Sequence, residues 1–467
     1  MTDLPRDFSH LTSRPEPDER LFHSSTIEEV IRETSEKISD PILRRMFWQC
    51  MPNTLDTTTY YHEDADGKPD TVVVTGDIPA MWQRDSWAQF KHYLPFVNRE
   101  PKLQKVMAGL VIRQTENVLT DPYANAFVDP YVDDPPQTPH WPAGDQWHPG
   151  VWERKYELDS LAAFFSLSHS YYDKTKDIRP YDKRWIRASL KALDVVRSQQ
   201  QPMNRHTLHR LHKATLSNGE HFPAVGRGEL YGHGEPSRET GMSRSMFRPS
   251  DDEMELPYHI PSNAMSVVAM SGMARILKNM SEKKLAREFM STAHEIDQGI
   301  QRHGFYNHPK YGWMYRYETD GFQSQRLMDD PNVPSLLSLP YLGYTYRETP
   351  KYLATREFIL SDDNPYHVSG GRAEGLASPH TGLDKMWPIA TIMQVMTSDS
   401  DHEIRECLQT LRDTTHGTFF MHESINVDNP GDYTRPWFGW ANSLFAEMIL
   451  DLMERKPYIL NQKSHVE

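Results

Sequence analysis

Cysteine is nearly absent from this 467-residue chain: Cys50 and Cys407 could form at most one bridge, which excludes a disulfide framework and fits a reducing compartment. Long apolar runs are missing as well. No stretch reaches the roughly eighteen apolar residues of a membrane span, and no apolar run follows a basic start, since Met1-Thr2-Asp3-Leu4-Pro5-Arg6-Asp7 leads into more polar sequence. Neither secretion nor membrane insertion is expected, and a cytoplasmic location is. Blocks of lysine and arginine are lacking too. With a formal charge of -14 and the two signs intermixed, the chain is not expected to bind nucleic acid. Despite 22 histidines there is neither His-Glu-x-x-His nor a Cys/His set at zinc spacing, so no metal or other cofactor is expected.

What is abundant is aromatic: 11 Trp, 22 Tyr and 18 Phe in a chain of moderate hydrophobicity. Flat amphipathic rings suit the apolar faces of sugars, but they also build cores, so they gain meaning only if they gather around carboxylates.

Helical signals recur along the chain. Thr26-x-x-Glu29 is a capping-box pattern ahead of Val30 and Ile31, and Asp40-Pro41 opens a second helix. Amphipathic periodicity predicts further helices at about 82–95, 101–119, 156–173, 184–200, 261–279, 281–303, 383–397, 401–415 and 437–455, with short ones near 335 and 352. Strand signal is confined to Thr71–Thr75 and a hairpin around His206 to Leu216. Neither a βαβ rhythm nor a fixed repeat occurs. The expectation is an all-α chain, with an N-terminal extension at 1–25 and a single domain over 26–467. Roughly a dozen helices, with long polar loops at 121–152, 217–260 and 417–436, suit an α/α toroid with minor β-hairpins in its loops.

Four clusters carry chemistry, each just before or at a helix start. The first is Thr75-Gly76-Asp77-Ile78-Pro79-Ala80-Met81-Trp82-Gln83-Arg84-Asp85-Ser86. Here Asp77, Arg84 and Asp85 can bind sugar hydroxyls and Trp82 can stack on a ring, although Asp77 could equally cap a helix. The second is Phe247-Arg248-Pro249-Ser250-Asp251-Asp252, followed by Ile260-Pro261-Ser262-Asn263. Adjacent acids in a turn point in different directions, so one can face a cavity while the other bonds backbone. In the third, Ser378-Pro379-His380-Thr381-Gly382, His380 could contact a hydroxyl or be a structural residue. The fourth is Met421-His422-Glu423-Ser424, followed by Arg435, Trp437 and Trp440. Glu423 could activate water or be an ordinary loop carboxylate. Together the four fit glycoside cleavage, which needs one carboxylic acid and a second carboxylate. A metal-dependent enzyme of the same fold and a non-catalytic glycan-binding protein are the rivals.

In order and in residues, Thr75–Ser86, Phe247–Asp252, Ile260–Asn263, Gly375–Gly382 and Met421–Ser424 resemble glycoside hydrolase family 125. The resemblance implies an (α/α)6 fold and an exo-acting, inverting, metal-independent α-mannosidase that removes terminal α-1,6-linked mannose from an oligosaccharide. The family's glutamate base maps onto Glu423 and its aspartate acid onto Asp251 or Asp252, Asp251 first. The sugar-binding set is Asp77, Trp82, Arg84, Asp85, Asn263, His380, His422, Arg435 and Trp437. Gln83 stands where the family pattern usually has Leu, and Trp87 is bulkier than usual. Inversion calls for carboxyl groups roughly 6.5–9.5 Å apart.

Overall fold

Helix starts are set locally in the computed structural model, which describes residues 8, 11–132, 149–201 and 236–461. Asp40 accepts from the amides of Ile42 and Leu43, and Pro41 fills the first helical position of Pro41–Cys50. Asp182 and Ser400 cap Lys183–Ser198 and Asp401–Asp413 in the same way. With Pro101–Thr120, Lys283–His303 and Pro350–Ile359 these form an outer set, which alternates along the chain with Gln83–Lys91, Leu158–Thr175, Ile260–Asn279, Pro388–Met396 and Gly439–Arg455.

Burial separates the two sets. Lys283–His303 hides one stripe, including Leu285, Phe289, Ile296 and Ile300, whereas Gly439–Arg455 is buried on every side from Gly439 to Ala446. The second set forms an inner ring. Gln83–Lys91 contacts both Leu158–Thr175 and Gly439–Arg455, while Leu158–Thr175 contacts Ile260–Asn279 and Pro388–Met396 contacts Gly439–Arg455. The sixth inner position falls to residues 335–342, where Tyr341 donates to Glu447 of Gly439–Arg455 at 2.8 Å. The fold is an (α/α)6 toroid.

Two expected helices differ. Residues 335–342 make turns, because Ser335 and Ser338 accept one another's amides and Asp329 takes those of Leu336 and Leu337. Residues Gly382–Met386 form a strand, and helix begins only at Pro388; the extended Trp387 ahead of a proline marks the boundary. The hairpin expected around 206–216 lies outside the described residues.

Strands are more numerous than expected, though short. Ala80–Trp82, Ala126–Val128 and Val151–Glu153 make one sheet, and Gln325–Arg326, Glu318–Thr319 and Tyr258–His259 a second. A five-stranded sheet runs His367–Ser369, Glu374–Ser378, Gly382–Met386, Ser424–Asn426, Tyr433–Thr434. Each carries part of the site described below.

Packing is tight where Pro101–Thr120 crosses the strand Pro69–Val73. A Cβ on Gly109 would stand 2.4 Å from Thr71 Oγ1 and 3.0 Å from the Thr71 amide nitrogen. Gly109→Ala is therefore expected to destabilise by about 1–3 kcal/mol, overpacking outweighing the helix-propensity gain. Urea unfolding checks this; a stabilised variant contradicts it.

Candidate active site

A cavity of about 360 Å3 opens where the inner helices begin. Trp82, Trp387 and Phe438 are the residues immediately preceding three of those helices, and all three line it. The first small sheet brings Trp82 beside Trp152 and Glu153: Trp82 pairs with Ala126, and Ala126 with Glu153. The five-stranded sheet joins the third and fourth motifs, since Lys385 and Met386 pair with Asn426 and Ile425. His380 sits in the turn between two of its strands, and Glu423 immediately precedes another.

Backbone conformation separates Asp251 from Asp252. The Asp251 amide donates to the Arg248 carbonyl and the Arg248 amide to the Asp252 carbonyl, with Phe247 and Glu253 bridged at the base. This tight turn puts Asp251 at φ 66°, the left-handed region that Asp and Asn tolerate better than other side chains. Its base is held by Arg248, whose Nε lies 2.6 Å from Glu318 Oε1 in the second sheet. Asp251 lines the cavity. Asp252 accepts from Ser250 at 3.1 Å and meets His380 Nδ1 at 3.4 Å. That contact, partly offset by burial, raises the His380 pKa.

Behind Asp251 lies a buried charge cluster. Arg84 Nη1 lies 2.7 Å from Glu157 and 3.1 Å from Asp159, and Nη2 lies 3.2 Å from Asp85. Its guanidinium carbon is 5.4 Å from the Trp440 ring. Asn125 Nδ2 reaches Glu153 at 2.8 Å, Asp251 at 3.3 Å and Glu157 at 3.4 Å. Lys155 stands 3.3 Å from Glu153. Asp85, Glu153, Glu157, Asp159 and Asp251 thus crowd around Arg84 and Lys155, with Arg435 near Asp85 and His380 near Asp251, and they cannot all be ionised in so little water.

The pKa values divide accordingly. Burial, together with Asp251 and Asp159, lifts Glu157 well above the usual carboxylate range. Burial also raises Asp159 and Glu153, and pushes Asp85 up to about 6. At Asp251 burial works upward, but Lys155, a hydrogen bond from Glu157 and Arg84 win, so Asp251 lies below its ordinary value.

The Glu423 loop is built differently. His422 stacks on Tyr433, ring centroids 3.8 Å apart, and its nitrogens point at backbone carbonyls, Nδ1 at Arg435 (2.8 Å) and Nε2 at Thr415 (3.3 Å). It therefore ties the segment that carries Glu423 to the one that carries Arg435. Arg435, at φ 57°, lies 3.6 Å from Glu423 Oε1 and 3.4 Å from Asp77 Oδ1.

Of the sequence candidates, Trp82, Arg84, Asp85, Asp251, His380, Glu423 and Arg435 line the cavity. Asp77 is at one remove, paired with Arg435. Asn263 is fully buried and bonds Ser243 and His259 backbone, and Trp437 is buried with its Nε1 donating to the Phe8 carbonyl. Like His422, these are buried and do not line the cavity, while Asp252 stands beside it against His380. Gln83 also turns inward, accepting from Asn117 at 3.1 Å. Buried Trp82 Nε1 has no hydrogen-bond partner among the described residues.

Comparison with known proteins matches residues 40–450 to the profile of the metal-independent alpha-mannosidases, GH125. The chain belongs to that family. It is therefore placed among the glycoside hydrolases. The meiotically up-regulated gene 157 protein of Schizosaccharomyces pombe is 41% identical over 97% of this chain and 90% of its own length. A Streptococcus pneumoniae member of the metal-independent alpha mannosidases, solved in a non-productive complex with alpha-1,6-mannobiose, superposes with a TM-score of 0.82 at 34% identity, covering 93% of this chain and all of that one. The Saccharomycopsis fibuligera glucoamylase shares the fold alone, at a TM-score of 0.55 and 13% identity over 94% of this chain and 97% of its own.

Within this family member, sequence reasoning missed Glu153, which lines the cavity, and the acids behind it. Glu153, Glu157 and Asp159, with Lys155 between them, alternate along the chain into a helix start, as the chosen motifs do, after the long 121–152 loop. That was the available signal. Among the described residues no group of three or more His, Cys, Asp or Glu is arranged to hold a metal ion, and no helix is long and apolar enough to cross a membrane.

Arg84→Met leaves three buried carboxylates without their cation, and about 3–5 kcal/mol of stability is expected to be lost at pH 7. The sign with pH is definite. Without Arg84 the folded-state carboxylate pKa values rise further above their unfolded values, so stability is retained at low pH and lost as pH rises. Urea unfolding of the variant and its parent at pH 5 and pH 8 checks this: the deficit is larger at pH 8.

Proposed function

We propose that this family member is an exo-acting α-mannosidase that hydrolyses terminal α-1,6-linked mannose with inversion, Asp251 acting as general acid and Glu423 as general base. The observation that carries the reading is that Asp251 and Glu423, 172 positions apart in sequence, line one cavity from separate structural units. Their surroundings differ: Asp251 meets Asn125 Nδ2 at 3.3 Å beside the Arg84–Glu157 cluster, while Glu423 is steered by Arg435 at 3.6 Å. In this mechanism Asp251 protonates the departing glycosidic oxygen. Glu423 deprotonates a water attacking the opposite face, and β-mannose is released first.

Substrate class follows from the walls. Trp82, Trp152, Trp387, Phe438 and Trp440 offer ring faces, and Arg84 and Asp85, each about 5% exposed, form a polar floor. A floor closed by inner helix starts suits a chain end, which supports exo action. The mannobiose bound by the Streptococcus pneumoniae relative supports the α-1,6 linkage. The free, buried thiols of Cys50 and Cys407 support a cytoplasmic site of action.

The test is incubation with α-1,2-, α-1,3- and α-1,6-mannobiose. Cleavage confined to, or far faster on, the α-1,6 isomer is the expected result; preference for another linkage, or no cleavage, overturns the reading.

A further inference from the structure

Glu157 has no side-chain exposure and does not line the cavity, yet it is tied to both sides of the site. Its Oε2 accepts from Arg84 at 2.7 Å and from Ser160 at 3.0 Å, which readies it to carry negative charge. Its Oε1 lies 3.4 Å from Asn125 Nδ2, the nitrogen that also stands 3.3 Å from Asp251 Oδ1. Three carboxyl groups, with Glu153 as the third, converge on that one amide nitrogen, which has two hydrogens to give. A proton between the carboxyls relieves the mismatch.

We propose that Glu157 is the proton store of the general acid, a positioning residue that hands its proton to Asp251 as Asp251 protonates the leaving group. This rests on the assignment of Asp251 as the acid.

The steps balance. The Glu157 O–H bond breaks as an Asp251 O–H bond forms. That bond then breaks as the glycosidic oxygen gains the proton, and the C–O bonding pair leaves with the oxygen. Water, giving its proton to Glu423, supplies the new C–O bond. After product release Glu423 yields its proton to solvent and the Asp251–Glu157 pair takes one back. Arg84 and Ser160 stabilise Glu157 while it is an anion. Burial lifts Glu157 well above the carboxylate range, in agreement with a resting proton there. The charged groups facing it are Arg84, Asp159 and Asp251, with Glu153 and Lys155 beyond Asn125.

Glu157→Gln keeps a donor toward Asp251 but cannot pass a proton on. On α-1,6-mannobiose its kcat is expected to fall by roughly 10²-fold, with KM little changed and the alkaline limb of the kcat profile displaced to lower pH. On 2,4-dinitrophenyl α-mannoside, whose phenolate departs without protonation, the loss is expected to be far smaller. Equal losses on both substrates, or an unmoved alkaline limb, overturn the proposal and make Glu157 a structural residue. Asp251→Asn assayed on the same two substrates separates the underlying reading: if it shows no contrast between them, Asp251 is not the acid. Should Glu157→Gln not fold, infrared spectra decide. The parent protein at pH 7 should hold a protonated carboxyl C=O band that moves in Asp251→Asn, and absence of any such band overturns the proposal.

Discussion

Asp251→Asn lowers kcat on α-1,6-mannobiose by about 10²–10⁴-fold, the range general acid catalysis supplies. The variant isolates chemistry from architecture. Asn is nearly isosteric with Asp and is among the few residues that accept a left-handed backbone, so the turn at φ 66° stands. The anchors of that turn, Arg248 on Glu318 and the Phe247–Glu253 bridge, are untouched. What goes is the proton, since an amide cannot protonate a departing alkoxide. The loss should shrink sharply on 2,4-dinitrophenyl α-mannoside. Asp252→Asn should cost much less, because Asp252 holds His380 and Ser250 and does not line the cavity. Steady-state kinetics on both substrates check this, and a larger loss from Asp252→Asn contradicts it.

Glu423→Gln should reduce turnover of the same disaccharide by about 10²–10⁴-fold, again from loss of a proton-transfer partner. Here the loss should persist on the activated aryl mannoside, because water must be deprotonated whatever the leaving group. This contrast with Asp251→Asn separates the two roles. Binding should survive, since the aromatic walls and the Arg84–Asp85 floor remain. Calorimetry on the variant should therefore detect mannobiose at an affinity near the parent KM. A glycan-binding protein without catalysis would show the same binding in parent and variant and no turnover in either.

The parts legible in sequence were those whose signal is local and long. Amphipathic helices such as Pro41–Cys50 and Lys283–His303 announce themselves through an N-cap acid in the first and a repeating apolar stripe in the second. Two- and three-residue strands such as Tyr258–His259 and Val151–Glu153 cannot show a period of two, so the two three-stranded sheets were invisible. Ser335–Leu342 read as helix because side-chain acceptors for its amides leave no trace in hydrophobicity.

In the site, Asp85, Asp251, Glu423 and the arginines beside them were found through motif content, whereas Glu153, which also lines the cavity, was not. What sequence could not resolve was direction. His422, Asn263 and Trp437 sit inside the richest motifs yet spend their polar atoms on backbone carbonyls and amides. Asp251 and Asp252 are alike as residues and are told apart only by a positive φ. Glu157 precedes a helix as many surface acids do, and only the converging Arg84 and Asn125 mark it as buried chemistry.

The central claim is that Asp251 and Glu423 act from opposite faces of the terminal mannose as acid and base. Proton NMR of the anomeric signals during the first turnovers of α-1,6-mannobiose tests it most directly. The account predicts that the β-mannose signal grows first and that the α signal follows only by mutarotation; α-mannose appearing first would contradict it.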